Sequence, residues 1–498
     1  MLKSIFIGVL FIISLSQFLI GQVLESNKLY QRIIALPENT SHEKYILNLE
    51  ALRTVSLSEN NKGHYAFSLY GLSYSYYQIE DYENFESALE EFFVVASDTV
   101  GLGMDYYNTA INHYSVLHKL KGNYKKSIEL GLSSISIEKK LGARKEELGI
   151  IYSNISEDYR LLGDFENSLS NAFKALEQYE SLTDKKNEHI YDKVSSYRLI
   201  AYSLMDLNRY HEALNWIRKG LQALNQINGE LNKEHNQLLI DLLLRKVEIN
   251  LQLNKLDGVV EDLNRVASMQ IKFHYRVYYR LELLGEYFAK LGQWNKSIIE
   301  FDEALSEARK QYSNNRIYPA IPRILTRRAA VYNKMDSTNL SFLDLQNGLQ
   351  FFQSNLSTNY TENPIIEISS SAIIGLDILI AKANYASSKF NKSFDHTYVE
   401  VANNSFASAM ELIDRMRMSY INEGSKFYLT EQAQEVYIDY IRHLISVKSF
   451  MQEDVWKEEL YNTIQRNKNS VLVERIKNKI ALLSSNLPNQ LLLSLIHI

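Results

Sequence analysis

One pattern constrains this chain more than any other: compact residues keep fixed distances from a bulky one, five times over. Take Tyr124, Phe165, Tyr210, Leu256 and Trp294 as reference points. The residue nine earlier is Ser115, Ser156, Ala201, Val247 or Gly285. The residue three later is Ser127, Ser168, Ala213, Val259 or Ser297, and the residue ten later is Ser134, Ala175, Gly220, Val266 or Ala304. The unit around Leu256 is the exception, with Val in all three places. A lone amphipathic helix puts large apolar side chains on its buried stripe. Small residues there let two helix axes approach until a neighbour nests against them. The first offset lies on one helix and the other two on a second. Between the helices stand Gly122, Gly163, Asn208, Asn254 and Gly292, residue types that end a helix in the left-handed conformation. The bulky residue plugs the corner.

Composition points the same way. Five prolines and 19 glycines in 498 residues leave long helices rather than many short strands. With 46% apolar and 23% charged residues the chain is globular, not disordered. The 34 tyrosines suit half-wet contacts between helices, where the ring packs and the hydroxyl stays hydrated.

This small–aromatic–small–small pattern resembles the tetratricopeptide repeat (TPR) family over Tyr65–Leu305. Reference points are spaced 41, 45, 46 and 38 residues apart, against the family's ~34. The excess falls largely between units, as in Ser181–Val194, which predicts helices longer by about a turn or long loops, the long-repeat type. An earlier unit gives two registers three residues apart, one around Tyr82 and one around Phe85, which predicts a three-residue insertion in its turn. Lys44–Val55 is expected as a lone capping helix. Degenerate units are expected over Pro322–Phe352, with Ala329–Ala330 and Leu345–Leu349 as core, and around Ile373–Ile413. The resemblance implies an all-α, right-handed α-solenoid of TPR hairpins whose first helices line a concave groove. It implies a peptide or protein partner and no cofactor. Offsets along those helices place Asn112, Lys119, Ser153, Glu157, Arg160, Arg198 and Tyr202 on the groove. Family members that grip a C-terminal carboxylate use Lys and Asn at such offsets; Asn112, Ser153 and Arg198 do not reproduce that clamp.

No catalytic or metal-binding constellation is visible. The absence of cysteine removes disulfides, thiolate catalysis and cysteine zinc sites. His113 and His118 are five residues apart, a rotation of ~500° on a helix, so they face different ways. The Gly101 stretch GLGM lacks the third glycine and the preceding strand of a phosphate loop and reads as a helix break. Glu90–Glu91, Glu146–Glu147 and Glu458–Glu459 read as solvated helix neighbours. Arg323, Arg327 and Arg328 share a helix face and are expected to pair with nearby acids. A formal charge of −5 gives no footing for nucleic acid.

The C-terminal quarter resembles the segment that joins such repeats to a CHAT domain, a caspase-like protease module. The matching pieces are ELIDRM at Glu411–Met416, EGSK at Glu423–Lys426 followed by Tyr437, and IQRNKNSVL at Ile464–Leu472. Apolar Leu472, Ile476, Ile480 and Leu483 form one helical stripe there. The family's catalytic His and Cys lie further downstream, so none is carried over. The resemblance implies the regulatory, sensing half of a CHAT-type protease; the alternatives are a stand-alone exported adaptor and the sensor region of a two-component histidine kinase. The final LSLIHI, Leu493–Ile498, resembles a translated sequencing adaptor, so the natural chain is expected to continue.

At the other end, one Lys, an apolar run from Ile5 to Leu15, a polar break and Gly21 make a signal-peptide layout. Export to the periplasm or cell surface is expected, with a retained N-terminal anchor as the alternative, and no later segment approaches the ~20 apolar residues of a membrane span. The chain thus divides into a signal (1–21), capping helices (22–62), tetratricopeptide repeats (63–310), degenerate helical repeats (311–415), a helical connector (416–488) and an artefactual or frayed tail (489–498).

Overall fold

The turns decide the architecture. Helices end at Leu120, Leu161, Asp206 and Lys290, and the next begin at Tyr124, Phe165, Tyr210 and Trp294 after only three residues. The middle one carries positive φ each time: Gly122 (78°), Gly163 (81°), Asn208 (59°) and Gly292 (70°). The following N–H then reaches back five residues, Asn123 to His118 O at 2.8 Å, Asp164 to Tyr159 O at 2.9 Å, Arg209 to Leu204 O at 2.8 Å and Gln293 to Phe288 O at 2.9 Å. This is the bond that satisfies an otherwise orphaned terminal carbonyl.

The computed structural model describes residues 24–37, 40–96, 104–182, 187–227, 230–312, 319–368, 371–419 and 423–467, and among them every regular element is helical. The signal segment 1–21, the glycines of GLGM, part of the Ser181–Val194 connection, the Leu472–Leu483 stripe and the 489–498 tail lie outside the described residues. The chain divides between Ile155 and Ser156 into two compact units.

In the first unit, Glu25–Ile34 and His42–Ser58 precede the hairpin Lys62–Gln78/Tyr82–Ala96 and the helices Met104–Leu120 and Tyr124–Lys140. The capping helix is therefore not alone: Ile33 joins Leu49, Leu52, Leu72 and Ala88 in one buried cluster. The expected turn insertion is also corrected. Ile79–Asp81 has the same three residues as the other turns, with Glu80 at φ 61°. The apparent shift arises because bulky Phe85 takes the place that Ser127 and Ser168 fill elsewhere, opposite buried Ser73. Of the paired carboxylates, Glu91 is held by Arg53 and the Tyr65 hydroxyl rather than simply solvated.

The second unit stacks the hairpins Asn187–Asp206/Tyr210–Asn225, Lys233–Gln252/Val259–Phe273, Val277–Lys290/Trp294–Tyr312, Ala320–Lys334/Thr338–Leu349 and Ala372–Ser393/Thr397–Ser419. Two of the first helices run to 20 residues against 17 for Met104–Leu120, the extra turn that long repeats require. The Leu256 exception is explained by its turn: the second helix starts at Val259, after Gly258 at φ 75°. Both degenerate units are true hairpins. Ala329, Leu345 and Leu349 are core residues, whereas Ala330 is only half-buried.

The small positions are where the helices meet. Ser115, Ser156, Ala175, Ala201 and Ala304 are all buried. In four hairpins residues 12 apart face each other closely enough for a serine hydroxyl to reach the partner's carbonyl. Ser127 Oγ donates to Ser115 O at 2.8 Å, Ser156 to Ser168 at 2.8 Å, Ser297 to Gly285 at 2.7 Å and Ser341 to Ala329 at 2.9 Å. Each such bond is worth about 1 kcal/mol net and ties two backbones at their closest approach. At Gly285 the approach is tight enough that a Cβ would stand 2.9 Å from the Phe301 ring.

Successive first helices touch one another throughout the second unit, whereas successive second helices make no comparable contact. The first-helix side is therefore the inner, concave side. Helix Glu423–Ser446 returns to touch Phe165–Glu180.

Candidate functional site, the inner face of the second unit

The concave face carries a continuous belt of arginine, tyrosine and carboxylate side chains. Its residues follow from the hairpin register. Immediately after each compact first-helix residue comes Glu157, Tyr202, Glu248 or Glu286. One turn earlier stand Arg198, Arg245, Glu282 and Arg327, and further back Asp241, Tyr279 and Arg323. Helical spacing puts all of these on the side facing the neighbouring first helix.

Arg327 shows how tightly the belt curves. Its guanidinium lies 2.9 Å from Glu286 Oε2, 3.2 Å from Glu282 Oε1 and 3.4 Å from Glu248 Oε1. Glu248 belongs to the first helix two hairpins earlier, within reach only because that face is concave. Arg323 grips Glu282 through Nε at 2.8 Å and Nη2 at 2.7 Å, a fork-to-fork pair. Arg328 leaves the belt to grip Asp344 the same way at 2.8 and 2.7 Å. The arginine trio thus pairs with acids as expected, but two of the three form part of the inner face.

Around Tyr202 the arrangement differs. The guanidinium carbons of Arg160, Arg198 and Arg245 lie 5.4, 5.4 and 4.4 Å from its ring centroid, within cation–π range. The Tyr202 hydroxyl donates to Asp241, which also meets Arg198 at 3.2 Å and Arg276 at 2.7 Å. Burial pushes the Asp241 carboxyl up, but Arg276, Arg198 and Arg245 outweigh it and hold it at about 2. Glu248, equally desolvated, is held at about 2 by Arg245 and Arg327. The balance reverses elsewhere on the face. Burial raises Asp206 against the pull of Arg160. Burial also raises Glu286, with Glu248 and Glu282 pushing the same way against Arg327. Desolvation lifts the Asp377 carboxyl to about 7 against Arg327.

Of the residues expected on the groove, Arg160, Arg198 and Tyr202 are brought together in this belt, and Glu157 acts electrostatically on Arg198. Asn112, Lys119 and Ser153 lie in the first unit, where Asn112 accepts from Asn154 Nδ2 at 3.3 Å. The inner face of that unit is aromatic instead: His113 stacks on Tyr70 and Tyr74 at 5.6 and 5.9 Å, and burial holds its imidazole down at about 4. Sequence reasoning missed Asp241, Arg245, Glu248, Arg276, Tyr279 and Glu286, although the same offsets counted from Val247 and Gly285 point to most of them. Among the described residues, no cluster of three or more His, Asp or Glu side chains is arranged to hold a metal.

No family model matches the chain, and no curated protein matches it in sequence. Solved structures do. The apo form of RapI aligns at 13% identity over 80% of this chain and 98% of that one, with a TM-score of 0.52. A Rap protein complexed with Competence and Sporulation Factor gives 14% identity, 80% and 98% coverage and 0.48. The apo quorum sensor NprR from B. thuringiensis gives 13%, 85% and 96%, and 0.41. At these identities the likeness is one of fold, and it is carried by the first: an all-α, TPR-type array of helical hairpins.

Proposed function

We propose that this chain is a scaffold that binds an extended peptide, or a peptide-like segment of a partner protein, along the inner face of its second unit. The belt of six arginines from Arg160 to Arg327 carries the reading. Polar groups so dense and so enclosed cost desolvation free energy, and five hairpins maintain them on the one face that can surround a strand. Peptide recognition by such grooves combines a preformed surface with side-chain pockets. Selection of a random ten-residue peptide library on the full chain tests it. Hydrogen exchange with a recovered peptide should protect Asn187–Asp206, Lys233–Gln252 and Val277–Lys290. Protection confined to the second helices, or no recovered peptide, refutes it.

In its finer form the proposal makes these repeats the regulatory part of an exported CHAT-type protease, supported by the resemblance over Glu411–Leu472 and by the leader-like Met1–Gln22. Genomic sequence beyond codon 498 should encode strands carrying a catalytic His and Cys, and N-terminal sequencing of secreted material should begin near Gln22. A natural stop codon in independent genomes would leave the adaptor reading.

A further inference from the structure

The arginines of the belt are not all used alike. Arg323 gives both arms of its fork to one carboxylate, and Arg327 is shared among three. Arg160, Arg198, Arg245 and Arg276 are each held through a single Nη: to Asp206 at 3.2 Å, Asp241 at 3.2 Å, Glu248 at 2.6 Å and Asp241 at 2.7 Å. The second Nη of each has no acceptor among the described residues. The Nε groups of Arg160, Arg198 and Arg245 are sealed from solvent and equally without an acceptor. The side chain of Asp241 is 2% exposed, those of Arg198 and Arg276 are 22% and 23%, so this acid is the more deeply buried partner of the two arginines it holds. Tyr202 pins three of the four arginines, which removes the rotamer freedom an arginine otherwise loses on binding.

We infer that this four-arginine cluster is a receptor for an acidic run in the bound segment, two or more Asp or Glu side chains in succession. The inference rests on the peptide-binding reading above. One carboxylate offers about four acceptor sites, fewer than four half-used forks supply, so a single terminal carboxylate would leave most donors unmet. Side chains two apart on an extended strand are separated by about 7 Å, a spacing that suits the three guanidiniums gathered on one phenol ring. The favoured sequence is therefore acid–any–acid, bound over Tyr202.

The probes are peptides recovered from the random library, resynthesised with each Asp and Glu as Asn or Gln, with free or amidated C-termini, and with phosphoserine in place of the acids. Fluorescence anisotropy should show at least a tenfold loss on neutralising an acidic pair and little change on amidation. Arg198→Gln should abolish that discrimination. Arg160→Gln, whose partner Asp206 is the more exposed acid, should reduce it by at least threefold and serves where the Arg198 variant does not fold. Recovered peptides without acidic pairs, equal binding of acidic and neutral forms, phosphoserine binding more tightly than Asp or Glu, or unchanged discrimination in Arg160→Gln would each overturn the inference while leaving the groove reading intact. Failure to recover any peptide falls on the groove reading itself.

Discussion

Replacing Arg327 by methionine should destabilise the second unit strongly at pH 8 and only weakly at pH 5.5. The four carboxylates around Arg327 do not depend on it equally. Glu282 keeps both arms of Arg323, and Glu248 keeps Arg245 and the Tyr279 hydroxyl. Glu286 keeps only Gln252 Nε2 at 3.1 Å, and Asp377 loses its neutralising neighbour. Breaking a buried pair costs about 3–5 kcal/mol when the surviving charge is stranded. With two of four carboxylates still compensated, about 2–3 kcal/mol is expected at pH 8. Both stranded groups already have raised pKa values, and loss of the guanidinium raises them further. Over the interval between unfolded and folded pKa the native state then holds more protons than the unfolded state, so the variant gains stability relative to wild type as pH falls. By pH 5.5 the difference should shrink to about 1 kcal/mol, at 1.4 kcal/mol per pKa unit. Hydrogen exchange of Val277–Lys290, corrected for intrinsic rates, reads this locally, which suits an array that need not unfold as one body. Adding Glu286→Gln and Asp377→Asn to the variant should restore most of the loss. A penalty equal at both pH values, or no rescue, would show that Arg327 acts by packing alone and that the belt is not an electrostatic unit.

Gly122→Ala should cost about 1–2 kcal/mol by thermal denaturation, because φ is 78° with no atom near the added Cβ and the cost is backbone strain alone; Gly122→Asn should cost less, as Asn208 shows. Ser156→Ala should cost about 1 kcal/mol for one buried hydroxyl bond, whereas Ser156→Leu should disrupt the hairpin, measured by loss of helical circular dichroism. His113, held at about 4 by burial, makes the first unit less stable as pH falls from 6.5 to 4, by up to about 3 kcal/mol; His113→Phe should flatten that dependence in acid titration. Lys382→Met should release the non-helical stretch near residues 362–363 to protease, since Lys382 Nζ donates to Gln346 Oε1 at 2.7 Å, Glu362 O at 3.1 Å and Asn363 Oδ1 at 2.8 Å.

The part of this fold that a reader of the sequence can find is the part governed by short separations. A hairpin with a three-residue turn brings residues 12 apart together whatever the length of the loop that follows. Ser156 and Ser168, or Gly285 and Ser297, therefore stand out although the spacing between units drifts from 38 to 46 residues. The turn residues stand out for the same reason: left-handed backbone restricts residue type at a single position. Phe85 misled because the rule concerns fit across a contact rather than size at one place; a large side chain opposite Ser73 satisfies it as well as two small ones.

The belt was harder to see because it is built between units, where spacing is irregular. Counting from the buried small residue of each first helix recovers it, because that residue stays in register with the rest of its own helix. From Val247 the next residue is Glu248 and two back is Arg245; from Gly285 the next is Glu286 and three back is Glu282; from Ala329 two back is Arg327. The packing position is thus the origin from which the binding face is read. The small residues set how closely each first helix lies on its own second helix, at Gly285 against the Phe301 ring, and so help fix where the inner-face side chains stand. A variant that enlarges one of them, such as Gly285→Leu, should therefore weaken peptide binding even where the array stays helical, because it pushes Glu282 and Glu286 out of reach of Arg327. Unchanged affinity in a folded Gly285→Leu protein would break the link between packing and function on which this face depends.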